Sequence, residues 1–504
     1  MDNEEKKVWG FFYRGAGGRF AEDPAEEMIL MRDETIPLKG IHLFDKAHIV
    51  MLVEENIIRK EDGGALLKAL IEMEKEGYEV CRKRVGGGGH SGEAYLIDKL
   101  GMDLGGQVHL GRSSADLIGV TIRIEERDRI LDLLDGLIKL SRQFLDLSES
   151  HLNSIMPAYT HFQQAQPITF AHYLLSWVFA IERDFERLEA TYSRTNKSPA
   201  GSAIVSGSPF PINRERVSEL LGFDMVIPNT RDAIFGFDHH LELFACLSIL
   251  NHGLARFCSD LYIWSSSEFD FIELKDRYCG TSSINPCKKN PQALEQIFSL
   301  AAQTTGRMIT AFSVDRMPSE SWEIQWRVWS QELWPLLRKT IQAIVLINHL
   351  IESMEVKTKS MAEMARSGWI TSSDLAAIIV KERGLPWRIA HQTVAHLVRL
   401  CIDRGIPSHK LTPELLDEVS EDRIGKKLAL SQSDIKKAVD PFECIRERRL
   451  TGGPAPEQVA KQIEACRKGI KAREGMIIEM RGSLKEAEKK LEDAVHGIIE
   501  ESQK

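Results

Sequence analysis

No CxxC pair and no Cys/His cluster occurs among the eight cysteines, which lie scattered along the 504 residues. That pattern reads as reduced thiols in a cytoplasmic protein. β-branched runs with turn chemistry at hairpin spacing are scarce, so the fold class is mainly α. No apolar run reads as long enough to span a membrane, and no membrane partner is expected. The first residues hold acids and no apolar core, so a signal peptide is not expected. There is no internal repeat and no excess of positive charge. A net charge of -9 argues against nucleic acid as the main partner, but leaves room for a locally basic site that takes an anionic substrate. What remains is ordinary for a globular protein, with 43% hydrophobic and 28% charged residues. The length suits several domains, or one large helical body with flanking pieces.

The stretch 278–291, Tyr-Cys-Gly-Thr-Ser-Ser-Ile-Asn-Pro-Cys-Lys-Lys-Asn-Pro, is short and polar between long apolar-periodic segments. Pro286 and Pro291 resist helix through its middle. Ser282, Ser283, Lys288, Lys289 and Asn290 crowd hydroxyls, ammoniums and an amide into one loop. Those groups suit an anionic substrate: donors for carboxylates and a hydroxyl able to move a proton. The same composition also fits a solvated loop between helices.

Along the chain, residues 1–115 are mixed, with amphipathic helical spacing at 43–58 and 64–74 and a glycine hinge at 86–89 before His90. The hinge lacks the Lys-Ser/Thr pair and the strand–loop–helix setting of a P-loop. Residues 116–360 carry long helical patterns at 117–147, 170–191, 241–267 and 334–354. The runs 247–250 and 344–347 are apolar on too many sides for a surface helix, which places them inside a bundle or between subunits. Residues 361–465 read as shorter helices, with an N-cap cluster at 371–374 and a turn at 451–454. Residues 466–504 read as a charged helical tail with a thin apolar stripe.

The loop resembles the fumarase/aspartase superfamily signature Gly-Ser-Ser-x-Met-Pro-x-Lys-x-Asn-Pro, with Thr281 in place of the Gly and Asn285 in place of the Met. A second stretch, Thr160-His161-Phe162-Gln163-Gln164-Ala165-Gln166-Pro167, resembles the Thr-His-x-Gln-x-Ala-Gln-Pro segment of the argininosuccinate lyase family. Segments at 9–24, 106–113, 198–223, 372–399 and 439–463 resemble that family in the same order. The resemblance implies a three-domain fumarase/aspartase-like fold with a central long-helix bundle. It also implies a homotetramer whose active sites each draw on three subunits, and β-elimination from an N-substituted aspartate to fumarate and an amine. Ser282 would be the base, beside Ser283. Lys288 and Asn290 would stabilise the doubly charged aci-carboxylate. Arg112, Ser113 and Thr160 would hold the succinyl carboxylates, with Gln166 beside them. His161 would pair with Glu295 and protonate the leaving amine. The substrate is then a small dicarboxylate or amino acid. No cofactor and no metal ligand set is expected.

Three segments depart from the family. After Arg112-Ser113 the family continues Arg-Asn-Asp-Gln, where this chain has Ser114-Ala115-Asp116-Leu117. The family's Ser-Asp-Arg-Asp becomes Phe235-Gly236-Phe237-Asp238, which loses an arginine. Of the family's Tyr-Asn-x-Asp-x-Gln-Glu-Asp-Lys, only the terminal base survives, as Arg327, with Trp322, Trp326 and Trp329 standing in or after that region. The fumarate-forming half is retained and the amine-binding half has become more aromatic. The leading expectation is therefore a carbon–nitrogen lyase for an N-substituted aspartate other than argininosuccinate. The alternatives are argininosuccinate lyase itself and a non-catalytic structural member.

Overall fold

The structure, a computed structural model, describes residues 37–315 and 322–504, with side chains from 329 onward in the second part. The expected segment at 9–24 and the changed positions Trp322, Trp326 and Arg327 lie outside the described residues or side chains. The helices used below are α1 Leu38–Glu54, α2 Lys60–Glu76, α3 Ser114–Ser150, α4 Phe170–Thr195, α5 Asp238–Trp264, α6 Gln292–Val314 and α7 Trp322–Ser353. In the C-terminal part they are α8 Ser372–Arg383, α9 Trp387–Asp403, α10 Pro413–Ile424, α11 Gln432–Val439 and α12 Pro456–Glu501.

The fold is mainly α, as its periodicity implies. Helix α3 has 37 residues, which at 1.5 Å per residue makes a rod about 55 Å long. Its start is fixed by a capping box: Ser113 Oγ accepts from the Ala115 N–H, and the Asp116 carboxylate accepts from the Ser113 N–H. Thr169 caps α4 in the same manner, accepting from the His172 N–H at 3.1 Å. Helices α4, α7 and α12 pack along α3, and α6 packs along α5. Leu134 and Leu137 of α3, Leu247 and Leu250 of α5, Ile344 and Ile347 of α7, and Ile463 and Ile470 of α12 share one large core. Within it Asn251 donates to Thr304 and Thr340, so a polar layer ties α5, α6 and α7 together.

The two suspected all-round apolar runs divide between core and surface. Leu247, Leu250, Ile344 and Ile347 are buried, whereas Ile249 and Val345 are 46% and 48% exposed, and Ile309 and Phe312 of α6 are exposed as well. The bundle thus carries apolar side chains on its outside. Contrary to the sequence expectation, α5 is long and apolar enough to cross a membrane by length and composition. More than half of that stretch is buried within the protein, the state of a core helix.

Helices α8 to α11 enclose a second, smaller core around Leu375, Ile379, Leu397, Leu416 and Ile435. Helix α12 runs unbroken across the expected boundary at 465/466, and its Val459, Cys466, Ile477 and Val495 join the large core. Its charged face is ion-paired to the bundle through Arg467 with Asp146 and Glu149, Arg473 with Glu182, and Arg481 with Asp132 and Asp135.

Candidate active site

Thr160, His161 and Gln166 sit on an antiparallel hairpin of β1 Ile155–Thr160 and β2 Gln163–Thr169. Thr160 pairs with Gln163, so His161 and Phe162 alone make the turn, at φ 52° and 60°. A two-residue turn of this hand favours Asn or Gly, and a side chain there costs about 1–2 kcal/mol per residue. The conformation is held by an aromatic brace. Phe162 and Tyr159 each meet Phe269, with ring centres 5.8 and 5.9 Å apart. Gln166 donates to Ser373 of α8 at 3.4 Å, linking the hairpin to the smaller unit. Thr160 and His161 are exposed at the tip. A histidine kept exposed in a costly backbone conformation is a sign of function.

Ser282, Ser283 and Lys288 lie in the loop between β3 Gly280–Thr281 and β4 Lys289–Asn290, which pair antiparallel. Inside the loop, Ser282 Oγ accepts from the Ile284 N–H at 3.3 Å and the Asn285 N–H at 3.0 Å. The Asn285 side chain accepts in turn from the Cys287 N–H. Two donors aimed at one hydroxyl oxygen favour negative charge on it, and Ser283 has no such arrangement. Lys289 is ion-paired with Glu273 and Asp276. Lys288 makes no ion pair among the described residues, so its ammonium is available to a ligand. Asn290 lies on β4, and Glu295 follows in the first turn of α6, where its carboxylate accepts from the Tyr262 hydroxyl at 3.4 Å.

The third group is more enclosed. Arg112 is buried, donates to Asp45 at 2.7 Å and lies over the Phe44 ring, while Arg82 holds the other oxygen of Asp45 at 2.6 Å. Burial would raise the Asp45 carboxyl, but Arg112 and Arg82 outweigh it and hold the group below the usual carboxylate range. Arg112 Nε and Nη1 are buried with no partner among the described residues. Burial, with Arg112 close by, pushes His48 down to about 3 and His109 to about 4. Both imidazoles are therefore neutral at pH 7, and two guanidiniums face one carboxylate.

Asp116 was not singled out in the sequence. Its buried carboxylate accepts from the N–H groups of Ser113, Gly201 and Ala203 at 2.9, 3.0 and 3.2 Å. Burial pushes its pKa up to about 6 against those donors. It thereby pins the Arg112–Ser113 turn to the 201–203 turn. Asp116→Ala leaves one buried and two part-buried donors unpaired and is expected to lower unfolding free energy by about 3 kcal/mol. Urea unfolding checks this, and a loss below about 1 kcal/mol would contradict the anchoring role.

Phe237 does not project into open space. Its ring meets Trp329 at 5.0 Å and His240 at 5.8 Å. Trp329 is fully buried, and its indole N–H donates to the Ala311 carbonyl. The altered segment at 235–237 is therefore part of a closed aromatic cluster with α7. Among the described residues, no hydrogen bond or ion pair joins the three groups to one another within the protomer, and none joins His161 to Glu295.

Residues 52–306 match a family profile described as Lyase, and residues 369–446 match one described as Argininosuccinate lyase C-terminal. The chain is 37% identical to a curated argininosuccinate lyase from Methanocaldococcus jannaschii, over 90% of this chain and 93% of the relative. It is 35% identical to the one from Methanococcoides burtonii, over 90% and 92%. Among solved structures it resembles EDDS lyase in complex with formate, with TM-score 0.86 and 27% identity over 100% of this chain and 97% of the other. Class II fumarase from Schistosoma mansoni shares the fold, with TM-score 0.69 and 15% identity over 82% and 92%.

Proposed function

Since the chain belongs to the argininosuccinate lyase family, within the fumarase/aspartase superfamily, and is a carbon–nitrogen lyase, we propose that it eliminates a less polar amine than arginine from an N-substituted L-aspartate. Fumarate is the other product. The reading of the fumarate-forming half is carried by Ser282, whose oxygen accepts two backbone N–H groups in a loop that also presents an unpaired lysine. A serine alkoxide stabilised in this way takes the Cβ proton. The electrons of that C–H bond pass first into the adjacent carboxylate, giving the aci-carboxylate, then return to form the double bond as the C–N bond breaks, and the amine leaves with a proton from His161. Lys288 and Asn290 stabilise the aci-carboxylate. Arg112, Ser113 and Thr160 hold the two carboxylates, flanked by Ser283 and Gln166. Arg327 is the base left on the amine side.

This chemistry needs the three groups to meet, and among the described residues no hydrogen bond or ion pair joins them within one protomer. A homotetramer supplies the meeting point, with Glu295 of one copy orienting His161 of another. The exposed Ile249, Val345, Ile309 and Phe312 support burial of the bundle's outer face in such an assembly. All eight cysteines are free, which supports a cytoplasmic setting.

The choice of amine rests on the closed cluster of Phe237, His240 and Trp329. Each charge-assisted hydrogen bond that a guanidino amino acid fails to find here weakens its binding by about 1.5–3 kcal/mol. An EDDS lyase variant with bound fumarate has this fold at 28% identity, which supports one framework serving different amines. The curated relatives favour argininosuccinate itself as the second reading. Purified protein is expected to add a less polar amine to fumarate from a panel, and to cleave argininosuccinate slowly or not at all. A kcat/KM on argininosuccinate above about 10⁴ M⁻¹s⁻¹, typical of a dedicated enzyme, selects the second reading instead.

A further inference from the structure

Behind the Phe237–Trp329 contact lies a group that the elimination does not use. Glu126 projects from the middle of α3, and His239 and His240 open α5. All three side chains are buried. Both imidazoles turn Nδ1 toward the one carboxylate: His239 lies 2.8 Å from one of its oxygens, and His240 is in contact with the other. One nitrogen from each ring and one carboxylate oxygen all lie within 4.8 Å of one another. Two imidazoles and a carboxylate form a donor set that suits zinc, cobalt or nickel rather than magnesium or calcium.

Charge and rigidity agree as well. Arg123, one turn earlier on α3, is buried and donates to the carbonyls of Arg194, Thr195 and Gly236, so its charge opposes a cation here. Asp232 and Asp238 act on Arg123 electrostatically, and Asp315 feels both Asp238 and His240. Asp232 and Asp238 thus offset the charge of Arg123, and Asp315 lies within electrostatic reach of His240. The donors stand on two long helices. A second His/Glu group, formed by His90, Glu93 and His109, is partly exposed and begins beside the glycine hinge, so it is less fixed. A crevice lined by His240, Trp329, Ser330 and Trp334 borders the first group.

We propose that Glu126, His239 and His240 bind one divalent transition-metal ion per chain, which clamps the start of α5 to α3 and fixes Phe237 against Trp329. Because the site is closed, the metal must be present while the chain folds. The test is full-length protein purified from cells grown in cobalt-supplemented medium, with metal content measured by mass spectrometry. One cobalt per chain is expected, with the visible absorption of a low-coordinate, imidazole-bound ion. Glu126→Gln should lose the cobalt and Glu93→Gln should keep it. Should Glu126→Gln fail to fold, anomalous diffraction from the wild-type cobalt protein decides without a variant. A peak between Glu126, His239 and His240 is expected. No stoichiometric metal, or a peak at His90, Glu93 and His109, overturns the proposal.

Discussion

Ser282→Ala is expected to keep its fold and assembly while kcat falls by at least about 100-fold, the rate equivalent of about 3 kcal/mol. The expectation comes from the loop itself. The Ile284 and Asn285 N–H groups point at Ser282 Oγ and not at its neighbour. An alkoxide on that oxygen keeps both donors, and Lys288 adds an uncommitted charge nearby. Alanine removes the oxygen and leaves two donors facing water in an exposed loop, so stability should barely change. Stopped-flow assay of fumarate formation gives kcat, and circular dichroism with sizing gives the fold. Near-normal turnover would remove Ser282 from the mechanism and move attention to Ser283. Loss of the wild-type assembly on sizing would show a structural role instead.

Mixing two inactive variants should restore activity. On the proposed roles, Ser282→Ala lacks the base and His161→Asn lacks the proton donor to the amine. If the loop and the hairpin at one site come from different protomers, then mixed tetramers contain some sites in which both groups are intact. Denaturing the pair together and refolding it should return a measurable fraction of wild-type kcat, whereas either variant refolded alone should not. A recovery no greater than the sum of the two controls, or a fully active monomer on sizing, contradicts the shared site. Among the described residues no hydrogen bond joins His161 to Glu295 within the protomer, so a second copy is needed to fix the tautomer of the exposed imidazole.

Long apolar periods and the polar loop were legible in the sequence, because each is a local pattern. The helix expected at 117–147 is the middle of Ser114–Ser150, and the one at 170–191 begins where Thr169 caps it. The hairpin carrying His161 was not legible. Its turn holds His and Phe where Asn-Gly would have announced it, and it is held by Phe269, more than 100 residues on. The last helix starts ten residues before the charged tail read from 466: after the turn at 451–454, Pro456 occupies the first helical turn. Neither the burial of Arg112 against Asp45 nor the pairing of Glu126 with His239 carries a local signal. Both depend on helices brought together from distant parts of the chain.

Helix α12 has a consequence for how the protein is made. Lys46 pairs with Glu492, and Lys60 with Glu501, at separations of 446 and 441 residues. Along the same helix, Val459, Ile470, Leu491 and Val495 join the large core. Until that last segment leaves the ribosome, the faces of α1, α2 and α3 that pack against it have no other cover among the described residues. Nascent protein therefore exposes apolar surface until late in its synthesis, the state in which chains aggregate. A message truncated before codon 456 would yield aggregate rather than a shorter enzyme.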